Sequence, residues 1–311
     1  MAVDPIANLV AGGLAGAAGT TITCPLEVVK TRLQSTVGQA VVQTYRLVPG
    51  PMAIGAVTGG ISPYSYTMPR SLHYLKQVVR TEGPRALFKG LVPSLFGTIP
   101  TRALYFSSYC QTKQFYNNIL PYESAPVHLC AAMTAGICTA TSTSPIWVVK
   151  TNMQLHTKPD QLMSIYESMR TIYRHDGWKG FYRGLSASYA GTVETALYFV
   201  IYEHIKKLVR ESRHGSDLEL TECMTAAGVA KLAASCLCYP HEVVRTRLRQ
   251  CLPPSERRYH TFFQTLATVW REERFIGLYG GLGTHLIRVV PNSAIVFFTY
   301  EAVLKLVHQY R

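Results

Sequence analysis

A short phrase that opens on a proline and carries one to three bases, with an acid in two of its copies, occurs three times in this chain of 311 residues. It reads Pro25-Leu-Glu27-Val-Val-Lys30-Thr-Arg32-Leu-Gln34, then Pro145-Ile-Trp147-Val-Val-Lys150-Thr-Asn152-Met-Gln154, then Pro240-His-Glu242-Val-Val-Arg245-Thr-Arg247-Leu-Arg249. Glu27 and Lys30 are three residues apart, a spacing that puts both on one face of a helix. The chemistry on offer is ion pairing, because an acid in one copy can meet a base in the next. Arranged as a ring, such pairs would shut one end of a pore. The proline removes a backbone hydrogen bond and kinks its helix, which draws the three ends towards a common axis. Each phrase is followed by an acid and then an aromatic-plus-glycine group: Glu82-Gly83…Phe88-Lys89-Gly90, Asp176-Gly177…Tyr182-Arg183-Gly184, and a degenerate Glu273-Arg274…Tyr279-Gly280-Gly281.

Other chemistry is hard to find. None of the eight cysteines (Cys24, Cys110, Cys130, Cys138, Cys223, Cys236, Cys238 and Cys251) stands in C-x-x-C spacing, and several lie in apolar segments. Neither a disulfide framework nor a metal site is indicated. A G-x-G-x-x-G phosphate loop is absent, and no nucleophile–base pair is visible. The histidines, His241 included, read as surface or helix-end residues, so an enzyme is the weakest reading.

Repetition on a period of about 100 residues is too long for a solenoid and points to a triplicated module. The units are 1–120, with an insert at 35–69, then 121–213 and 214–311, forming one body with threefold pseudosymmetry. The formal net charge of +13 points to anionic partners: nucleic acid, anionic lipid or small anionic solutes. A basic surface with no substrate role explains it equally well. Mean hydropathy close to zero hides a clustering of apolar residues into six segments.

Those segments predict long helices at 6–34, 125–154 and 221–249, alternating with 91–117, 185–210 and 283–308. Each is long enough to cross a hydrocarbon core of about 30 Å, yet each carries polar or charged residues. A ring of six helices resolves the conflict, with apolar backs to lipid and polar fronts to a central water-filled cavity. Short amphipathic helices at 71–81, 162–174 and 260–271 suit a membrane surface. Gly12, Gly13, Gly16 and Gly19, with Gly12-x-x-x-Gly16 among them, predict close helix packing. The insert at 35–69 is rich in Gly, Pro and Val, contains no Asp or Glu, and reads as an irregular loop. Residues 1–8 hold Asp4 and no Arg or Lys, so the reading is that any targeting signal is internal.

The triple phrase, with its aromatic-[KR]-Gly partner, resembles the signature of the mitochondrial carrier family and spans essentially the whole chain. The resemblance implies an all-α, six-helix carrier of the inner mitochondrial membrane, with its short helices on the matrix side and both termini in the intermembrane space. It implies a monomer that exchanges solutes by alternating access, with cardiolipin as bound lipid, no other cofactor and no nucleic acid polymer. A matrix gate would pair Glu27 with Lys150 and Glu242 with Lys30. Trp147 stands where an acid belongs, leaving Arg245 to stack on the indole, a contact worth about 0.5–2 kcal/mol. Gln34 and Gln154 match the family's bracing glutamines, whereas Arg249 departs from them. The family's second, cytoplasmic gate reads Tyr109-Cys110…Lys113, Tyr202-Glu203…Lys206 and Tyr300-Glu301…Leu304. Its pairs would be Lys113 with Glu203 and Lys206 with Glu301; the two absent charges would have been each other's partners.

Lys231 lies eleven residues before Glu242, about three helical turns, and so shares its face towards the cavity. Arg102, Glu194 and Arg288 sit at mid-depth in the second helices. By the resemblance, Arg288, Gly97 and the Ala190-Gly191 pair fall at the family's substrate contact points. The small residues would leave room for a flat ring, while Lys231, Arg102 and Arg288 would take phosphates. Pairing of Arg102 with Glu194 is the alternative. Trp147 is typical of a subgroup carrying nucleotides, NAD, FAD or folate. The stretches 180–191, 239–249 and 100–106, with Glu194-Thr195, look like the pyrimidine nucleotide carriers. The resulting expectation is an antiporter of pyrimidine (deoxy)nucleotides. A coenzyme carrier of the NAD, FAD or folate type is the near alternative, and a non-transporting adaptor is the distant one.

Overall fold

The structure, a computed structural model, describes residues 5–36, 70–122, 124–156, 163–212, 220–253, 255 and 257–309. The insert, apart from its first two residues, lies outside them. Nine α-helices follow one another among the described residues, with no strand: α1 (Pro5–Gln34), α2 (Arg70–Glu82), α3 (Leu91–Asn117), α4 (Ala125–Leu155), α5 (Ile165–Asp176), α6 (Leu185–Ser212), α7 (Leu220–Arg249), α8 (Phe262–Leu278) and α9 (Leu282–Gln309). The six long ones run 27 to 31 residues. Pro25, Pro145 and Pro240 lie inside α1, α4 and α7, and each helix continues through its proline.

Successive repeats are joined by their closest helix pairs: α3 against α4, α6 against α7, and α9 back against α1. That last pairing closes a ring. The α1–α9 contact differs from the glycine reading. A Cβ at Gly12, Gly13 or Gly16 would meet nothing, whereas one at Gly19 would lie 2.6 Å from Val296. The close-packed stripe is therefore Ala11, Ala15 and Gly19, one helical turn apart, with both alanines fully buried. Gly12 and Gly13 face outwards, on the exposed side of α1.

Three apolar clusters seat the short helices under the odd ones. Val29 and Leu33 pack with Tyr74 and Val78; Val148 and Val149 with Ile172 and Phe181; Val244 and Leu248 with Val269 and Leu278. The second valine of each phrase, Val29, Val149 or Val244, thus anchors α2, α5 or α8 to the crossing point. Two boundaries differ from the sequence reading. Helix α5 begins at Ile165 behind Ser164, and α8 runs beyond 271 across a break at Arg274. Arg274 has φ +56°, the sign that Gly83 (+82°) and Gly177 (+60°) adopt at the matching positions. By length and composition, only Leu282–Val303 among the described residues is apolar enough to cross a membrane. The other long helices are rich in hydroxyl, glycine and charged residues and do not meet that measure.

Candidate functional site

The three phrases meet where α1, α4 and α7 converge. Lys30 Nζ lies 2.6 Å from Glu242, and Lys150 pairs with Glu27. The cations are only 10% exposed and the acids about 15%, so each attraction acts in a poorly screened setting. Among the described residues no third bridge joins α4 to α7, because Trp147 replaces the acid. The expected stacking of Arg245 on Trp147 is not what forms. Lys150 sits 4.7 Å from the centre of the Trp147 ring, three residues along the same helix face, while Arg245 turns to Glu242 of its own helix at 3.6 Å. Gln34 donates to Tyr239 at 3.0 Å and accepts from Thr246 at 2.8 Å, tying α1 to α7. Gln154 accepts from Thr31 at 3.0 Å, tying α4 to α1. Arg249, in the third such place, donates to Ser188 of α6 at 3.0 Å.

A second tier of charge lies just beyond. Arg32 grips Glu82 with two bonds of 2.5 and 2.9 Å, and Lys89 adds one of 2.7 Å. Arg247 grips Glu273 with two bonds of 2.6 Å. In the middle repeat Asn152 takes the arginine's place and bonds Ser168 at 3.0 Å instead. Asp176 is met by Arg183 at 3.0 Å and by Arg257, which comes from the third repeat.

Deeper in the bundle, Lys231 Nζ lies 2.7 Å from Glu194, and Ser235 donates to the same oxygen at 2.9 Å. The pairing of Arg102 with Glu194 does not occur: α6 packs on α7, which turns Glu194 to Lys231, and Arg102 is exposed. Arg288 reaches Glu27 at 3.1 Å, so Glu27 is shared between a gate lysine and a cavity arginine. The room left by glycine is filled by packing. A Cβ at Gly97 would lie 2.8 Å from Ile146, and one at Gly191 would lie 3.0 Å from His241. Ala190 is half-buried. His241 is accordingly no surface residue: it is 7% exposed, with Nδ1 2.5 Å from the Cys238 carbonyl.

At the opposite end the pairing is different. Lys206 reaches Glu203 of its own helix at 3.8 Å rather than Glu301, and Glu301 is exposed. Tyr109 stacks on Tyr105 with centroids 6.3 Å apart, as Tyr202 does on Tyr198 at 6.1 Å. Tyr109 also bonds His128 at 2.7 Å. Lys113 and Tyr300 are half-buried. Among the described residues no three His, Cys, Asp or Glu side chains gather closely enough to hold a metal ion.

The family model described as mitochondrial carrier protein matches residues 2–120, 122–213 and 216–311. The chain belongs to the mitochondrial carrier family. Solute carrier family 25 member 36 of Gallus gallus is 44% identical to it, over 97% of this chain and 98% of its own. Solute carrier family 25 member 33 of Homo sapiens is 42% identical, over 97% of this chain and 95% of its own. The mitochondrial pyrimidine nucleotide transporter RIM2 of Saccharomyces cerevisiae is 39% identical, over 98% of this chain and 86% of its own.

Three residues of this carrier's site escaped the sequence reading. His285 Nδ1 is 2.8 Å from Lys30, Tyr239 bridges Gln34 to the Gly280 carbonyl, and Ser235 shares Glu194 with Lys231. Spacing held the signal for two of them. His285 precedes Arg288 by three residues, and Ser235 follows Lys231 by four, so each shares a face with a charge already singled out. Tyr239 carried no such mark.

Proposed function

We propose that this carrier exchanges pyrimidine nucleotides, deoxynucleotides included, across the inner mitochondrial membrane by alternating access. The observation that carries the reading is that both inner cations already hold carboxylates that a phosphate can replace: Arg288 holds Glu27 and Lys231 holds Glu194. A nucleotide entering from the Tyr202 end offers phosphate oxygens that can take two parallel bonds from a guanidinium in place of a carboxylate. Phosphate at Arg288 draws that residue away from Glu27. Glu27 is then left to Lys150 alone, and the closed end weakens at the moment the site fills. Loading is thereby linked to opening through one shared carboxylate. Arg102 serves as a third, outer cation, and the Tyr198–Tyr202 stack, with the Tyr198 ring centre 5.9 Å from Lys231, offers a face to a base. The name of the yeast relative supports the pyrimidine assignment.

In this reading the six long helices span the membrane, and the crossing of α1, α4 and α7 is the matrix gate. The Tyr109, Tyr202 and Tyr300 end is the cytoplasmic gate, both termini lie in the intermembrane space, and the carrier works as a monomer. Cardiolipin is assigned to a recess of 360 Å³ beside Lys179, Arg183, Ser186 and Tyr259. The test is uptake of radiolabelled UTP by liposomes containing the purified carrier, preloaded with unlabelled UTP, NAD or nothing. UTP-driven uptake that NAD cannot replace is the expected result. Uptake driven by NAD, FAD or folate and not by UTP would transfer the assignment to a coenzyme carrier. No uptake under any load would leave a silent adaptor.

A further inference from the structure

Between α4 and α6, at the end away from the crossed prolines, lies a cleft of 690 Å³ whose lining shares only Glu203 and Lys206 with the cytoplasmic gate. Its floor is apolar, formed by Pro126 and Leu129 of α4 with Phe199 and Val200 of α6. Its rim is basic: His204, Lys207 and Arg210 follow one another at three-residue spacing along α6, and Lys206 lines the cleft beside them. The only acid in the lining, Glu203, is turned to Lys206. Lys207 has just a 3.9 Å contact with Glu211, both side chains being largely exposed, and such pairs are readily given up. Val200 is 60% exposed at the mouth of the cleft.

We propose that this cleft is a binding site for an anionic phospholipid, with a phosphate held by Lys207 and Arg210 and an acyl chain laid over Leu129, Phe199 and Val200. The assignment rests on chemistry matched along one axis. A water-soluble anion has no use for the apolar floor. A neutral lipid leaves three cationic or cation-forming side chains facing a headgroup without charge. Basic side chains at the end of a spanning helix snorkel to headgroup level, and basic pockets between such helices are suited to acidic headgroups. The proposal takes from the transport reading only that these helices span a membrane.

Cys130 lines the same cleft and reports on its occupancy. The full-length carrier in phosphatidylcholine nanodiscs, with or without phosphatidylglycerol, is treated with N-ethylmaleimide. Alkylation of each cysteine peptide is then followed by mass spectrometry. Phosphatidylglycerol is expected to slow alkylation of Cys130 several-fold and to leave that of Cys138, eight residues along α4, unchanged. In the Lys207→Gln/Arg210→Gln double variant the two lipid compositions should give one rate. Equal rates in the wild type, or protection that survives in the double variant, would overturn the proposal. Protection by oleate but not by phosphatidylglycerol would overturn it too, in favour of a single-chain anion. If the double variant fails to fold, Leu129→Trp, which fills the floor, should also make Cys130 indifferent to headgroup charge. Because the readout is thiol chemistry, a carrier that fails to exchange UTP could still pass this test.

Discussion

Arg257 of the third repeat donates to the Asp176 carboxylate of the second, across 81 residues of chain. The second repeat has lost its own arginine to Asn152, and the third has lost its later base to Gly280. Glu82 keeps two basic partners, Asp176 recruits one from a neighbouring repeat, and Glu273 relies on Arg247 together with Tyr259, which also bonds that arginine. Arg257→Ala should therefore lower stability by about 1–3 kcal/mol, the cost of a buried polar group left short of a partner. Arg258→Ala next door removes a contact of 3.9 Å on a side chain 71% exposed and should change the thermal midpoint little. Thermal unfolding of the detergent-purified variants compares them; equal midpoints would remove Arg257 from the inter-repeat contact.

Arg274 occupies a backbone conformation, φ +56° and ψ −148°, that suits glycine and strains any side chain by about 1–3 kcal/mol. Its own side chain is exposed. Arg274→Gly should raise the thermal midpoint, the relief of strain exceeding the roughly 0.5–1 kcal/mol that glycine costs in backbone entropy. A lowered midpoint would mean that the side chain contributes more than the strain removes.

Burial pushes the Glu82 carboxyl up, but hydrogen bonds from Arg32 and Lys89 outweigh it and hold the group below its ordinary 4.5. A carboxyl depressed on folding contributes stability that is complete above the unfolded value and lost as pH falls through the folded one. Stability should thus be flat above pH 4.5 as far as Glu82 is concerned, and should fall below it. Glu82→Gln should be less stable at neutral pH and show a shallower acid limb. Parallel acid limbs for the two proteins, measured by thermal midpoint against pH, would count against this pair.

Trp147 fills the place of the third gate acid. Trp147→Glu gives Arg245 a cross-helix partner and frees it from Glu242, deepening the closed state. The expected outcome is slower UTP exchange in liposomes at unchanged expression. Faster exchange would show that the gap between α4 and α7 does not set the turnover.

Arg288→Ala leaves Glu27 paired with Lys150, so the fold should hold and the thermal midpoint should stay near that of the wild type. Exchange should drop about 10- to 100-fold, matching the loss of a charge-assisted hydrogen bond of about 1.5–3 kcal/mol. Normal uptake by this variant would exclude Arg288 from the substrate site.

Much of the carrier can be read without coordinates, because its evidence is local. The three phrases, the helices that bear them and the glycine-marked turns depend on residues within a few positions of one another. Threefold repetition then limits which acid can reach which base, and Lys30–Glu242 and Lys150–Glu27 follow from it. Where the spacing argument failed, it failed on rotation about a helix axis. Gly12 and Gly16 look like a packing motif, yet α1 presents Ala11, Ala15 and Gly19 to α9.

The sequence by itself determined the triplicate plan, the ring of acids and bases at the crossing of the odd helices, and the family. The tier of pairs around Glu82, Asp176 and Glu273 came from the structure. Only the tertiary structure decided that Glu194 faces Lys231 and not Arg102, that Arg288 shares Glu27 with the gate, and that Lys150 takes the Trp147 ring. The reason is physical. Spacing along a helix says which side chains share a face, but the partner of that face depends on how neighbouring helices turn as they pack. Ion pairs between repeats form only after that turn is made.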